Sequence, residues 1–252
     1  MTVHRVAPGV DRLGDTAVNF YLVHHPDGLV LVDAGLPGHL GQLQAHLAST
    51  GHTLADVKAV LLTHAHPDHT GLVTALHEAG AAVWVHALDA PILADGPRSA
   101  LRHAKPERSL LPYLLRRPSA LGTPLHLARH GGFTAPAFPH ARTFLGDRTF
   151  DDLPGGPRAL AVPGHTLGSV AYAFPDLGLL FTGDALVTRD STTGHRGPGT
   201  VCRGFTHDSA AALAALDRLD AFPDAVLLPG HGDPLTGDVL AATAAARRLG
   251  AT

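Results

Sequence analysis

The segment Leu61-Leu62-Thr63-His64-Ala65-His66-Pro67-Asp68-His69-Thr70-Gly71 places three imidazoles and a carboxylate within six positions. It follows an apolar run over 57–62 that reads as a buried strand, and a strand end is a rigid place from which to hang ligands. His64 and His66 are two apart, so on an extended chain they project to the same side. Asp68 and His69 follow Pro67, where the backbone bends and a helix can begin. One strand-to-helix turn would then offer two ligands to one point and two more to a second point nearby. Imidazole and carboxylate ligands suit zinc, iron or manganese, and an all-N/O set with an open position belongs to catalytic rather than structural sites. Coincidence is the competing reading, since 19 of the 252 residues are histidine.

The rest of the chain argues against coincidence. A metal needs further ligands from distant segments, and three candidates stand just beyond apolar runs. His165 follows Ala159-Leu160-Ala161-Val162-Pro163-Gly164, Asp184 follows Leu179-Leu180-Phe181-Thr182-Gly183, and His231 follows Val226-Leu227-Leu228-Pro229-Gly230. Histidines that merely fill a core would not fall so regularly at strand tips.

In this pattern the chain resembles the metallo-β-lactamase superfamily. The HxHxDH run of His64, His66, Asp68 and His69, then His165, Asp184 and His231, matches that family's seven ligands in order. VDAG around Asp33, PGHTLGS around His165, FTGDAL around Asp184 and LPGHGDP around His231 are similar to its flanking motifs. The likeness spans about residues 16–235 and leaves roughly 95–142 unassigned. It implies an α+β, four-layer αββα sandwich with the metals at the edge between two sheets. It also implies roles: His64, His66 and His165 on a first metal, Asp68, His69 and His231 on a second, and Asp184 between them. Two Zn²⁺ per chain are expected, with Fe or Mn as alternatives. Asp68 would also act catalytically, steering a proton as a general acid–base does; capping a helix after Pro67 is its plainer alternative. Asp33 would sit behind the site, orienting a ligand imidazole or the His-bearing turn, unless it is only a turn residue. Thr63, Thr166 and Thr182 flank ligands and could do similar work.

The chain must also supply elements that hold these residues. The 17–24 and 28–33 runs around Pro26-Asp27-Gly28 read as a hairpin. Leu40, Leu43 and Leu47 mark a helix over 38–48 that stops near Gly51, and Leu72, Ala75, Leu76 and Ala79 mark another that ends at Gly80. A strand at 82–86 and a short helix at 87–93 follow. The second half reads as strands near 143–150, 158–162, 168–174 and 178–182, a helix over 209–219, a strand at 225–228 and a helix near 237–249. Asp208 or Ser209 is placed to cap the first of these helices, and Thr236 or Asp238 the second. Residues 188–206, rich in glycine, read as a mobile loop whose Arg189, Arg196 and Arg203 could face a pocket, although a plain solvated connection is the favoured reading. His24, His25, His39, His46, His52 and His77 read as ordinary surface or helix-face residues.

Composition bounds the rest. A length of 252 residues with 45% hydrophobic content fits a single domain, here 1–252 with an insertion at about 95–142. A net charge of −3 gives no general attraction to nucleic acid. No long apolar segment follows Met1, so neither signal peptide nor membrane span is expected and a cytoplasmic location is. Cys202 is the only cysteine, which excludes an internal disulfide. Residues 96–142 carry eight Lys/Arg against the single acid Glu107, together with Leu101, Leu110, Leu111, Leu114 and Leu115. This stretch is either an amphipathic lid over the metals or a solvated face packed by its leucines, and the latter is slightly favoured. The chemistry expected is hydrolysis of an ester, thioester or lactone of a small molecule by a hydroxide shared between two metals. The alternatives are a mononuclear iron oxidoreductase of the persulfide dioxygenase type and a binding protein with a vestigial site. Nothing in the sequence sets an oligomeric state.

Overall fold

The computed structural model describes residues 3–252. Its first sheet has seven strands in chain order: β1 (His4–Ala7), β2 (Val10–Gly14), β3 (Asn19–His25), β4 (Gly28–Val32), β5 (Val57–Leu61), β6 (Ala82–His86) and β7 (Arg142–Phe144). Neighbours are antiparallel as far as β4 and parallel from β4 to β7. The second sheet contains β8 (Arg148–Thr149), β9 (Arg158–Ala161), β10 (Val170–Phe174) and β11 (Leu179–Gly183). A two-stranded ribbon of β12 (Val187–Arg189) and β13 (Arg196–Gly199) intervenes before β14 (Val226–Pro229), which pairs parallel with β11 and completes the second sheet.

The period-2 alternation of the strands builds the layers. In β4, Val30 and Val32 face the second sheet, whereas Leu29 and Leu31 join the core beneath the helices α1 (Leu40–Ser49) and α2 (Val73–Glu78) and α3 (Ala90–Asp95). In β10, Val170, Tyr172 and Phe174 meet that inter-sheet core from the other side. Ala171 and Ala173 face outward. Small residues there admit α7 (Ser209–Ala215) and α8 (Val239–Leu249), which cover the second sheet; α4 (Ala100–His103), α5 (Leu111–Arg116) and α6 (Gly122–Arg129) lie between β6 and β7 in the chain. The result is the αββα sandwich of the α+β class. No helix among the described residues is long and apolar enough to cross a membrane.

The expected hairpin is present, with His25 opposite Gly28, and Asp208 and Asp238 cap α7 and α8 by accepting from Ala211 N and Ala241 N. Several expectations need correction. β1 and β2 precede the first strand the sequence predicts. The single strand expected at 143–150 is two strands in different sheets, because Gly146 turns the chain at φ +63° between them. The helix expected over 209–219 is α7 followed by a 3-10 turn over Leu216–Ala221. Residues 188–206 hold a ribbon strand rather than a loop alone. His39 is fully buried and bonds Asp15, and His24 and His46 both bond Asp11, so these three are not plain surface residues.

No helix begins after Pro67. The backbone of 69–72 is bonded instead to the stretch after β4: Ala34 N donates to His69 O, Gly71 N to Gly35 O and Leu72 N to Ala34 O, at 2.7–3.0 Å. A Cβ on Gly71 would lie 2.4 Å from the Leu36 carbonyl carbon, so this close approach requires glycine. The helix starts only at Val73, with Leu72 at its N-cap. Asp68 therefore caps nothing.

Candidate metal centre

The seven residues picked out at strand ends meet at one edge of the sandwich. His64, His66 and His165 form one group with ligand-capable atoms within 4.8 Å of one another; His64, His69 and Asp184 form a second, and Asp68, His69 and His231 a third. The centre of the first is tight: His165 Nε2 lies 2.8 Å from His66 Nδ1 and 3.2 Å from His64 Nε2. Asp184 stands between the groups, its Oδ2 3.4 Å from His165 Nε2 and 3.1 Å from His231 Nε2, its Oδ1 3.5 Å from His69 Nε2. Asp68 Oδ2 lies 3.5 Å from His231 Nε2 and 3.8 Å from His69 Nε2.

The outward nitrogens of three imidazoles are already engaged, which fixes which nitrogen faces inward. His69 Nδ1 donates to Asp33 Oδ2 (2.8 Å), His64 Nδ1 to Thr63 Oγ1 (3.1 Å) and His231 Nδ1 to the Ala17 carbonyl. Asp33 binds the histidine turn as well, since its Oδ1 accepts from Thr63 N at 2.8 Å. It does so from a left-handed backbone, φ 60°, that Asp tolerates better than most residues. Inside the ring the pattern inverts: His69 Nε2 and Asp184 Oδ1 are buried without any hydrogen-bond partner. Buried polar atoms without partners are costly, and imidazole lone pairs facing one another at hydrogen-bond distance repel unless a proton or cation lies between them. The donor set, neutral nitrogens plus carboxylate oxygens, fits a divalent metal.

Electrostatics divides the site. Burial pushes His64 and His165 well below the ordinary imidazole range, and neighbouring imidazoles push the same way; burial lowers His66 too. Burial opposes charge on His69 and His231 also, but carboxylates outweigh it. Asp33, Asp184 and Asp68 raise His69 to about 9, and Asp184 and Asp68 raise His231 to about 10. Asp184 is held well below the carboxylate range by His231 and His69, against its burial. One half of the ring thus presents free lone pairs and the other draws in positive charge, and a cation answers both.

Some positioning residues carry no sequence motif. Asp89, fully buried, accepts from Ala65 N (2.9 Å) and Thr166 Oγ1 (2.8 Å) with one oxygen and from Gly168 N (2.8 Å) with the other. It ties the His64–His66 turn to the His165 turn. Tyr21 Oη and Asn19 Nδ2 both donate to Pro229 O, fastening the turn that carries His231. The one sequence signal for Asp89 is a carboxylate three residues past the apolar run of β6; the other two lie in β3 and read only as strand residues. Of the flanking threonines, Thr182 donates to Leu186 O rather than to a proposed ligand.

A cavity of about 590 Å³ opens onto His66, Asp68, His165, Asp184 and His231. Much of its wall comes from the segment between β6 and β7, including Pro97, Ala100, Leu110, Leu127 and Phe133. That segment lines the cavity as a lid, contrary to the solvated face favoured from sequence. Arg189 lines it as well; Arg203 instead pairs with Glu107 at 2.7 Å.

Residues 13–231 match the family model described as the metallo-beta-lactamase superfamily. The chain belongs to this superfamily. Among relatives, a probable metallo-hydrolase of Bacillus subtilis, YflN, is 25% identical over 92% of this chain and 86% of its own. A hydroxyacylglutathione hydrolase of Cereibacter sphaeroides is 31% identical over 76% of this chain and 53% of its own length. Among solved structures, the metallo-beta-lactamase family protein TTHA1429 of Thermus thermophilus superposes with a TM-score of 0.67, at 26% identity over 96% of this chain and 79% of its own. TTHA1623, solved in a di-iron-bound form, is 31% identical over 89% of this chain and 92% of its own, with a TM-score of 0.60. Superfamily membership and the His/Asp groups together support a metal-dependent hydrolase.

Proposed function

We propose that this hydrolase holds two zinc ions and cleaves an ester, thioester or lactone of a small molecule. His64, His66 and His165 would hold one ion, Asp68, His69 and His231 the other, and Asp184 would serve both. The observation that carries the reading is the position of Asp184, within 3.5 Å of His69, His165 and His231 from two different oxygens. When bound, such a pair of cations lowers the pKa of water towards about 7 and polarises a carbonyl oxygen. The iron in TTHA1623 makes iron the alternative occupant.

The chain's own groups supply the rest. Asp68 lines the cavity floor beside His231, where its carboxylate can take a proton from the attacking water and deliver it to the leaving group. Asp33 and Asp89 hold the two histidine turns, so the ligands need not reorganise during reaction. The segment between β6 and β7 lines the cavity with apolar side chains. Cys202 is no rival nucleophile: burial pushes its thiol up to about 12. The thioester option draws support from the hydroxyacylglutathione hydrolase relative.

The test is His66→Ala against a panel of esters, thioesters and lactones. Turnover should vanish while the circular dichroism spectrum stays unchanged; a fully active variant would sink the mechanism.

A further inference from the structure

The cavity has a polar floor and apolar walls. Above the His/Asp floor stand Leu110, Leu127, Phe133, Val201 and Phe205, from the lid on one side and the chain after the β12–β13 ribbon on the other. Leu101 also lines it yet is 72% exposed, which places Leu101 at the mouth. The acidic lining residue outside the floor, Asp190, is turned to the backbone, accepting from Thr192 N and Cys202 N. Arg98 and Arg189 donate to the Phe133 and Thr16 carbonyls and have no carboxylate partner among the described residues. They leave the rim suited to the polar or anionic part of a substrate.

From this division we infer that the hydrolase proposed above, on which the inference rests, acts on esters or thioesters of a medium-length apolar acyl group. The reacting carbonyl lies at the floor, the acyl chain fills the lid chamber, and the leaving group points past the arginines. At about 590 Å³ the chamber is of the size that buries most of a small-molecule ligand. Each methylene taken from water into apolar walls is worth about fourfold in affinity, from roughly 0.8 kcal/mol per CH₂. A polar acyl group would gain nothing there.

Two readouts test this on the metal-loaded protein. The first is kcat/KM across 4-nitrophenyl esters from acetyl to dodecanoyl, with the leaving group fixed. The second is calorimetric binding of the matching straight-chain carboxylates, which needs no turnover. Both should improve about fourfold per added methylene until the chamber is full, then level off. Val201→Phe, which narrows the chamber, should bring the plateau to shorter chains. Esters cleaved with a flat or falling chain-length profile, and carboxylates bound equally at every length, would overturn the inference and leave the hydrolase reading standing. Length-dependent carboxylate binding without cleavage of any ester, thioester or lactone would keep the chamber assignment and overturn the hydrolase reading.

Discussion

The carboxylate of Asp33 accepts the Nδ1–H of His69 at 2.8 Å and, through its other oxygen, the amide of Thr63 at 2.8 Å. One buried group thus aims an imidazole and fixes the turn that carries His64. Asp33→Asn keeps the size, and Asn tolerates the same left-handed backbone, but it weakens the charge-assisted bond to His69. We predict a tenfold to hundredfold loss of metal affinity or of activity, the usual scale for partners behind a metal ligand. Metal titration of the variant checks it, and wild-type affinity would contradict the role.

Asp89 does comparable work without touching a proposed ligand. Asp89→Ala would strip acceptors from the buried amides of Ala65 and Gly168, a cost on the order of 3 kcal/mol. A chemical denaturation curve should show that drop. A change within a few tenths would mean that water or local rearrangement replaces the carboxylate.

Gly230 packs against the centre itself. A Cβ there would sit 2.4 Å from Asp184 Oδ1 and 2.7 Å from His69 Cε1. Its backbone lies outside the left-handed region, so Gly230→Ala acts by crowding alone. Activity should fall about 100-fold, as expected for a reactive group displaced by about 1 Å, with the fold retained by circular dichroism. An active Gly230→Ala would show that Asp184 can move freely.

A second histidine network joins lid to core. Asp15 Oδ2 receives His39 Nε2 at 3.0 Å and His126 Nε2, from α6, at 2.7 Å, while Oδ1 receives the amides of Ala17 and Val18. Burial pushes the Asp15 pKa up, but these bonds and the His126 charge outweigh it, and the pKa lies well below the carboxylate range. A depressed carboxylate stabilises the fold fully above its unfolded pKa of about 4 and loses that contribution as pH falls through the folded value. Asp15→Asn should therefore cost about 1–3 kcal/mol at pH 7, and the gap to wild type should close as the pH drops well below 4. A gap independent of pH would exclude the charge as its source.

Much of this was legible in the chain because the strands are nearly continuous apolar runs and each proposed ligand stands just past one. Their order alone brings the ligands to one edge, since β4 and β5 are parallel, as are β11 and β14. What escaped depends on long-range pairing. Residues 143–150 look like one strand until Phe144 and Phe150 are required to reach the same core from two sheets. The turn after Pro67 looks like a helix start until its amides find Ala34 and Gly35. The histidines at 24, 39 and 46 look incidental until carboxylates 13 to 35 positions away come beside them. The lid was ambiguous for a related reason: its leucines divide between the cavity, as Leu110 does, and solvent, as Leu115 does at 75% exposure.

The most direct test of the account is the number of metal equivalents per chain, measured by elemental mass spectrometry on protein purified without added metal or chelator. Close to two zinc ions per chain is the predicted result, falling in the Asp184→Ala variant. A wild-type protein with no bound divalent metal, or with one iron and oxygen consumption in place of hydrolysis, would contradict the dinuclear hydrolase.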